Sequence, residues 1–155
     1  MKIVICSDNH SHLSVIKKIL ADQPDADYYW HLGDSETFNV EELSPFISVK
    51  GNNDYGMSLP LKRSIELCGH KFLLTHGTGI NYYGISELVE TAKEGGYDVV
   101  IFGHIHRPVD DVVDGIRMIN PGSCLHNRNY PHPTYCVMNI NDEGIIDVYF
   151  HDVDK

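Results

Sequence analysis

The stretch Phe102-Gly103-His104-Ile105-His106-Arg107-Pro108 follows the run Asp98-Val99-Val100-Ile101, which is typical of a strand buried on both faces. Gly103 ends this strand where the backbone must turn, and Pro108 prevents the turn from continuing as a helix. Between them two histidines stand at i and i+2, a spacing that lets both imidazoles converge on one small volume. An isolated His-x-His pair is weak evidence for a metal site, so its meaning depends on the rest of the chain.

Four other stretches repeat this arrangement, in which a strand ends at a turn rich in Asp, Asn, His and Gly. In an open α/β sheet, ligands bind beyond the carboxyl ends of the strands, so these turns are expected to meet at one site. The predicted strands and their turns are residues 2–7 with 7–12, 28–32 with 33–34, 46–50 with 51–54, and 71–74 with 75–77.

Two amphipathic helices alternate with these strands, one beginning at Leu13 and one over residues 85–94. The last third of the chain is almost entirely strand. The pattern predicts an α/β fold, a four-layer α-β-β-α sandwich with two mixed sheets packed face to face and helices outside, formed by residues 1–155 as a single domain. The strands expected in the last third cover residues 109–113, 116–120, 134–140 and 145–151.

The chain is acidic, with 12 Lys and Arg against 22 Asp and Glu and a formal charge of −10. It has no basic run, so nucleic acid is not expected as a polyelectrolyte partner. A site that handles phosphate would need positive charge from elsewhere, and bound metal is the obvious source. Two divalent ions would add four charges and change the balance from −10 to −6.

No apolar run approaches the length of a membrane span, so no membrane association is expected. The four cysteines are widely separated and form no C-x-x-C pair. This usage predicts a reduced protein of the cytoplasm.

Seven side chains with metal-ligating atoms fall at the five strand ends. They are two carboxylates, one amide and four imidazoles, a set that suits divalent transition metals better than Mg²⁺ or Ca²⁺. Seven ligands are too many for one ion and about right for two ions that share a carboxylate. Any one of these residues could instead close a turn, but the whole set favours a metal site. The candidate ligands are Asp8, His10, Asp34, Asn52, His76, His104 and His106.

The order of these blocks resembles the calcineurin-like metallophosphoesterase superfamily. The blocks D-x-H, G-D, G-N, a lone His after a strand, and G-H-x-H all occur in this order over residues 8–106. The short chain and the stretch 119–123 resemble the small single-domain phosphodiesterase branch, which also includes the retromer scaffold subunit.

The resemblance implies a binuclear metal centre, in which a hydroxide that bridges the two ions attacks a phosphate ester. Mn²⁺ is the metal expected first, with Fe, Zn or Ni as alternatives. The implied ligand sets are Asp8, His10 and His106 for one ion and Asn52, His76 and His104 for the other, with Asp34 as the bridge.

The predicted function is therefore hydrolysis of a small phosphate ester, first of all a phosphodiester. A phosphomonoesterase or a nucleotide pyrophosphatase is an alternative enzyme. A non-catalytic interaction scaffold on the same fold is the alternative from another class. The intact ligand set argues against a scaffold, because a scaffold has no need for seven metal ligands.

Two departures from the larger members of the superfamily concern catalysis. Those proteins have a histidine after the Asn of the G-N block, where it protonates the leaving group, whereas this chain has Asn53. Asp54 is retained, and we predict that Asn53 and Asp54 are the catalytic residues, with Asp54 orienting Asn53 or a water. Residues 35–37 also lack the Arg that those phosphatases carry after the G-D block.

Three other residues carry expectations of lower specificity. His31 is expected to pack in the core rather than to support the metal ligands. Tyr82 and Tyr83 either form a wall of the cleft or pack on the surface.

Overall fold

The computed structural model describes residues 1–78 and 85–154, so Tyr82 and Tyr83 lie outside the described residues. Within them the helices are α1 (Leu13–Asp22), a 3-10 helix (Val40–Leu43) and α2 (Ile85–Gly95). None of these is long and apolar enough to cross a membrane. The strands are β1 (Lys2–Cys6), β2 (Tyr28–His31), β3 (Ile47–Ser48), β4 (Lys62–Leu67), β5 (His70–Thr75), β6 (Val99–Phe102), β7 (Pro108–Val113), β8 (Ile116–Pro121), β9 (Thr134–Ile140) and β10 (Ile146–Asp152).

The strands form two mixed sheets of five strands each. The first sheet has the order β10-β9-β1-β2-β3 and the second the order β4-β5-β6-β8-β7. Strand β1 is parallel to β2 and antiparallel to β9, so that Val4 pairs with Tyr29 on one side and Val137 on the other. Strand β6 is parallel to both of its neighbours, β5 and β8.

The apolar runs at the start of the chain and before Gly103 are buried on both faces, as predicted. In β1, Ile5 packs with Phe72 between the two sheets, whereas Val4 packs with Ile16 of α1 on the outer face. A strand covered on both sides has no solvent face, which is why its sequence does not alternate between apolar and polar residues.

Strand β6 is built in the same way in the second sheet. Ile101 points between the sheets, and Val100 packs outward against Leu88 of α2. The layers are therefore α1, the first sheet, the second sheet and α2. The predicted four-layer sandwich is confirmed.

The strand predicted over residues 46–50 is shorter than expected. Strand β3 contains only Ile47 and Ser48, which pair with β2 at the edge of the first sheet. The backbone N–H of Lys50 donates to the carbonyl of Pro60 at 2.7 Å, so the chain has already turned away from β2 at this point.

The turns after β1, β2, β3, β5 and β6 meet at one edge of the sandwich. Within the first sheet, the N–H of Asp8 donates to the carbonyl of Gly33 at 3.0 Å. Between the sheets, the N–H of His104 donates to the Asp8 carboxylate at 3.2 Å. The polar turns of both sheets therefore close around a common site.

Candidate metal centre

The Asp8 carboxylate lies at the centre of the predicted ligands. Its Oδ1 atom is 3.3 Å from His106 Nε2, 3.8 Å from His76 Nε2 and 3.9 Å from His10 Nε2. The Nε2 atoms of His10 and His106 are 3.1 Å apart. Three imidazoles from separate turns thus direct the same ring nitrogen toward one carboxylate oxygen.

The remaining predicted ligands lie around His76. Its Nε2 atom is 3.4 Å from Asp34 Oδ2 and 3.0 Å from Asn52 Oδ1, and its ring centroid is 5.1 Å from that of His104. The structure therefore brings together all seven predicted ligands. Asp8, Asp34 and His76 are buried, His10, His104 and His106 are half-buried, and Asn52 is exposed.

One buried atom shows that this donor set suits a cation. Among the residues that the structure describes, Asp8 Oδ1 is the one buried side-chain oxygen or nitrogen without a hydrogen-bond partner. A buried carboxylate oxygen without a donor is costly unless a positive charge compensates it. Imidazole nitrogens and carboxylate oxygens at these separations are suited to divalent transition metals.

Two groups of side chains have the spacing of a metal site, with ligand atoms that all lie within 4.8 Å of one another. Both groups contain Asp8, whereas the resemblance implies that Asp34 is the shared ligand. The bridging role of Asp34 therefore stays a prediction, and Asp8 is a second candidate for it. The two groups are Asp8, His10 and His106, and Asp8, Asp34 and His76.

Opposite charges lower or raise the pKa of the buried ligands. Burial raises the pKa of Asp8, but the nearby imidazoles of His106 and His76 outweigh it and bring the pKa below its usual value. Burial also raises the pKa of Asp34, but the hydrogen bond and the charge of His76 outweigh this effect and bring the pKa well below its usual value. Burial lowers the pKa of His76, but Asp34 and Asp8 raise it above the ordinary value. The pKa of His104 is lowered by burial and then by His76.

Five of the seven predicted ligands have a left-handed backbone. Their φ angles are 58° at Asp8, 42° at His10, 56° at Asp34, 71° at His104 and 51° at His106. Each such conformation costs about 1–3 kcal/mol for a residue other than glycine and is typical of functional sites. These strained turns direct their side chains into the centre.

Two glycines allow these turns to approach one another. A Cβ atom on Gly51 would lie 2.2 Å from Asp34 Oδ1 and 2.3 Å from the Asp34 backbone nitrogen. A Cβ atom on Gly103 would lie 2.3 Å from Ser7 Oγ and 2.9 Å from Asp8 Oδ2. The glycines of the G-N and G-H blocks are therefore required by close packing against the two aspartates.

The two predicted catalytic residues both contact the turn of Asp34. The N–H of Asn53 donates to Asp34 Oδ1 at 2.9 Å, and its side-chain amide donates to Asp34 Oδ2 at 3.0 Å. The buried Asp54 carboxylate accepts the N–H groups of Asp34 at 2.9 Å, Gly51 at 2.7 Å and Glu36 at 2.9 Å. The catalytic roles of Asn53 and Asp54 stay predictions, and these bonds are those of residues that position Asp34.

Several supporting residues were missed at the sequence level. Ser7 Oγ donates to Asp8 Oδ2 at 2.5 Å, and Ser123 Oγ donates to the Asp8 carbonyl at 2.8 Å. The Asn120 amide donates to the Gly103 carbonyl at 2.9 Å. Asn120 and Ser123 belong to the stretch 119–123, and the only signal for their role was its position after the last histidine pair.

His31 is buried but does more than fill the core. The N–H of Gly33 donates to His31 Nδ1 at 3.0 Å, so the ring proton resides on Nε2, which is 2.8 Å from Asn9 Oδ1. Burial lowers the pKa of His31 to about 4. The neutral ring thus supports the turn that carries Asp34.

We expect His31 to make the protein less stable in acid. Between the usual histidine pKa of about 6.5 and the folded value of about 4, the unfolded chain binds more protons. The free energy of unfolding should therefore fall by about 3 kcal/mol as the pH decreases through this window. Urea denaturation from pH 4 to 8 measures this change. In His31→Gln the dependence should be flatter, and an unchanged dependence would contradict the assignment.

Comparison with known proteins identifies the family of this chain. The family model for the calcineurin-like phosphoesterase superfamily domain matches residues 1–143. A protein named phosphodiesterase from Methanocaldococcus jannaschii is 34% identical over 146 residues, covering 80% of this chain and 84% of that protein. A probable metallophosphoesterase from Mycoplasma pneumoniae is 33% identical over 161 residues, and the match covers 97% of this chain and 96% of that protein.

Solved structures have the same fold. A predicted phosphoesterase from Streptococcus pneumoniae superposes with a TM-score of 0.87 at 26% identity, covering 99% of this chain and 90% of the other. The zinc complex of Vps29 from Entamoeba histolytica superposes with a TM-score of 0.73 at 22% identity, covering 99% of each chain, and shares the fold. The protein is a metal-dependent phosphoesterase, and its chain belongs to the calcineurin-like phosphoesterase superfamily.

Proposed function

We propose that this protein is a two-metal phosphodiesterase that hydrolyses a small phosphate ester. The observation that carries the proposal is the unpartnered Asp8 Oδ1, with three imidazole nitrogens directed at it. In this proposal Asp34 is a ligand shared by the two ions. Asp8, His10 and His106 would hold one ion, and Asn52, His76 and His104 would hold the other.

The residues of the chain have distinct tasks in this reaction. Two bound divalent ions would supply the positive charge that lowers the pKa of water and neutralises charge on the phosphoryl oxygens. Asn53 orients Asp34 through its two hydrogen bonds, and Asp54 holds the backbone of the G-D and G-N turns. Because Asn53 cannot give a proton, the leaving oxygen departs as an anion or takes its proton from water.

Three further features support the details of the proposal. The Methanocaldococcus jannaschii relative is named a phosphodiesterase, which favours a diester over a monoester substrate. Nitrogen and oxygen ligands without sulfur are compatible with Mn²⁺, the metal expected first. All four cysteines are free thiols, which agrees with work in the reducing cytoplasm.

We expect two transition-metal ions per chain after loading with Mn²⁺. Replacing Asp34 by alanine should lower the occupancy of both positions, because it removes the proposed shared ligand. Replacing Asn52 by alanine should weaken only one position. Elemental analysis after gel filtration measures the metal content of each variant.

The matched control is Asp22→Ala, which removes a carboxylate that pairs with Lys18 on α1. Its metal content should equal that of the unchanged protein. A single tightly held ion that survives Asp34→Ala would refute the two-metal proposal.

A further inference from the structure

Glu36 contacts a predicted metal ligand from the side that faces away from the centre. Its Oε2 atom is hydrogen-bonded to His10 Nδ1. The other ring nitrogen of His10 is 3.1 Å from His106 Nε2 and 3.9 Å from Asp8 Oδ1. A carboxylate can only accept, so Nδ1 is the donor in this bond and Nε2 is the nitrogen that faces the centre.

The position of Glu36 is determined by the same turns that carry the ligands. Its N–H donates to Asp54 Oδ1 at 2.9 Å, while Asp54 Oδ2 accepts the N–H of Asp34 at 2.9 Å. Glu36 also has a positive φ of 52°. The turn after β2 therefore directs its glutamate at His10 while it directs Asp34 at the centre.

The second position has a different support. His76 Nδ1 donates to the Leu32 carbonyl at 2.6 Å, which is a neutral acceptor. A carboxylate behind a metal-ligating imidazole fixes the tautomer and increases the basicity of the ring, and its removal typically weakens metal binding 10–100-fold. An acceptor with a full negative charge does this more strongly than a carbonyl.

We propose that Glu36 is a positioning residue that makes the position formed by Asp8, His10 and His106 the tighter of the two metal positions. This inference rests on the proposed two-metal function. The two ions then bind in order, first at the position that Glu36 supports and second at the position around His76.

The test is a titration of metal-free protein with Mn²⁺, followed by the electron paramagnetic resonance signal of the free ion. The unchanged protein should bind two ions in two resolved steps. Glu36→Gln, which keeps an acceptor but loses the charge, should raise the dissociation constant of the tighter step about 10-fold, and Glu36→Ala about 100-fold. The dissociation constant of the weaker step should change by less than about 3-fold, which is well below the effect of losing a carboxylate behind a ligating imidazole.

Glu41→Gln is the matched control. It removes the same charge from an exposed glutamate of the 3-10 helix that follows, and should leave both steps unchanged. Nitrogen chemical shifts of His10 in the metal-free protein give a second measurement. They should report the Nδ1–H tautomer in the unchanged protein and in Glu36→Gln, and a mixture of tautomers in Glu36→Ala.

The outcomes separate this inference from the function on which it rests. If the unchanged protein binds only one ion at saturation, the two-metal function fails and the inference fails with it. If it binds two ions and hydrolyses phosphodiesters, but Glu36→Gln and Glu36→Ala leave the tighter step unchanged or weaken both steps equally, the role of Glu36 alone is overturned.

Discussion

Replacing Asp8 by asparagine should abolish most phosphodiester hydrolysis while leaving the fold intact. The new amide oxygen can still accept the hydrogen bonds from Ser7 Oγ at 2.5 Å and from His104 N at 3.2 Å. The amide nitrogen would then face the three imidazoles in place of Oδ1, where it offers neither a lone pair nor a negative charge. In the proposed arrangement Asp8 is a ligand of the ion at His10 and His106, so at least this ion should be lost. Asp8 also belongs to the second group of candidate ligands, so binding of the other ion should weaken as well.

Bound metal ions stabilise the charge of the transition state by several kcal/mol, so their loss should lower kcat/KM on the order of 10³-fold or more. The measurement is hydrolysis of bis(p-nitrophenyl) phosphate by Mn²⁺-loaded protein, together with elemental analysis and circular dichroism. Asp25→Asn is the control, because that exposed carboxylate pairs with Lys2 away from the site. A folded Asp8→Asn protein that keeps both ions and most of its activity would contradict the assignment.

The rate of hydrolysis should depend steeply on the acidity of the leaving group. Asn53 stands where the larger members of the superfamily have a histidine. An amide is not a proton donor in the acid–base sense, and the backbone N–H and the side-chain amide of Asn53 both donate to Asp34. General acid catalysis is typically worth 10²–10⁴-fold, and its absence matters most for a basic leaving group. Nitrophenyl diesters should therefore be hydrolysed well and alkyl diesters poorly. The measurement is kcat/KM across a graded series of aryl and alkyl phosphodiesters.

Asn53→His is the informative variant for this series. It should raise the turnover of poor leaving groups more than that of good ones. The comparison requires unchanged metal content, because the substitution also removes the amide that donates to Asp34. A flat series for the unchanged protein would mean that another group supplies the proton, and the interpretation of Asn53 would fail.

The layers of the fold could be predicted because burial restricts composition. Strands β1 and β6 lie inside a sandwich with helices on both outer faces, so every position along them after Lys2 is apolar, and this is visible without coordinates. The helix over residues 85–94 and the four late strands were likewise predicted within about one residue of Ile85–Gly95 and the strands β7 to β10. The short edge strand β3 was overestimated, because its end depends on a hydrogen bond between Lys50 and Pro60.

The identity of the candidate ligands also came from sequence, since parallel strands present their carboxyl ends at a common edge. Aspartate, asparagine and histidine at five such ends are a chemical pattern that does not require distances. Periodicity could not show, however, which oxygen the imidazoles face. That Asp8 Oδ1 is central follows from the packing of the two sheets, which brings His76 and His106 of the second sheet against a turn of the first.

Sequence alone therefore determined the sandwich of strands and helices and the residue types at its ligand edge, because these follow from local burial and strand direction. Only the tertiary structure placed Glu36 behind His10, His31 beneath Gly33, and Asp54 between the turns. Glu36 and His10 are 26 positions apart, His31 and Gly33 are 2 apart, and Asp54 and Asp34 are 20 apart. The turns that bring them together contain residues with positive φ, and a hydrophobic pattern does not indicate where such turns direct their side chains. These contacts depend on how the turns after β1, β2 and β3 meet at the edge of the first sheet, and so they arise only in the folded chain.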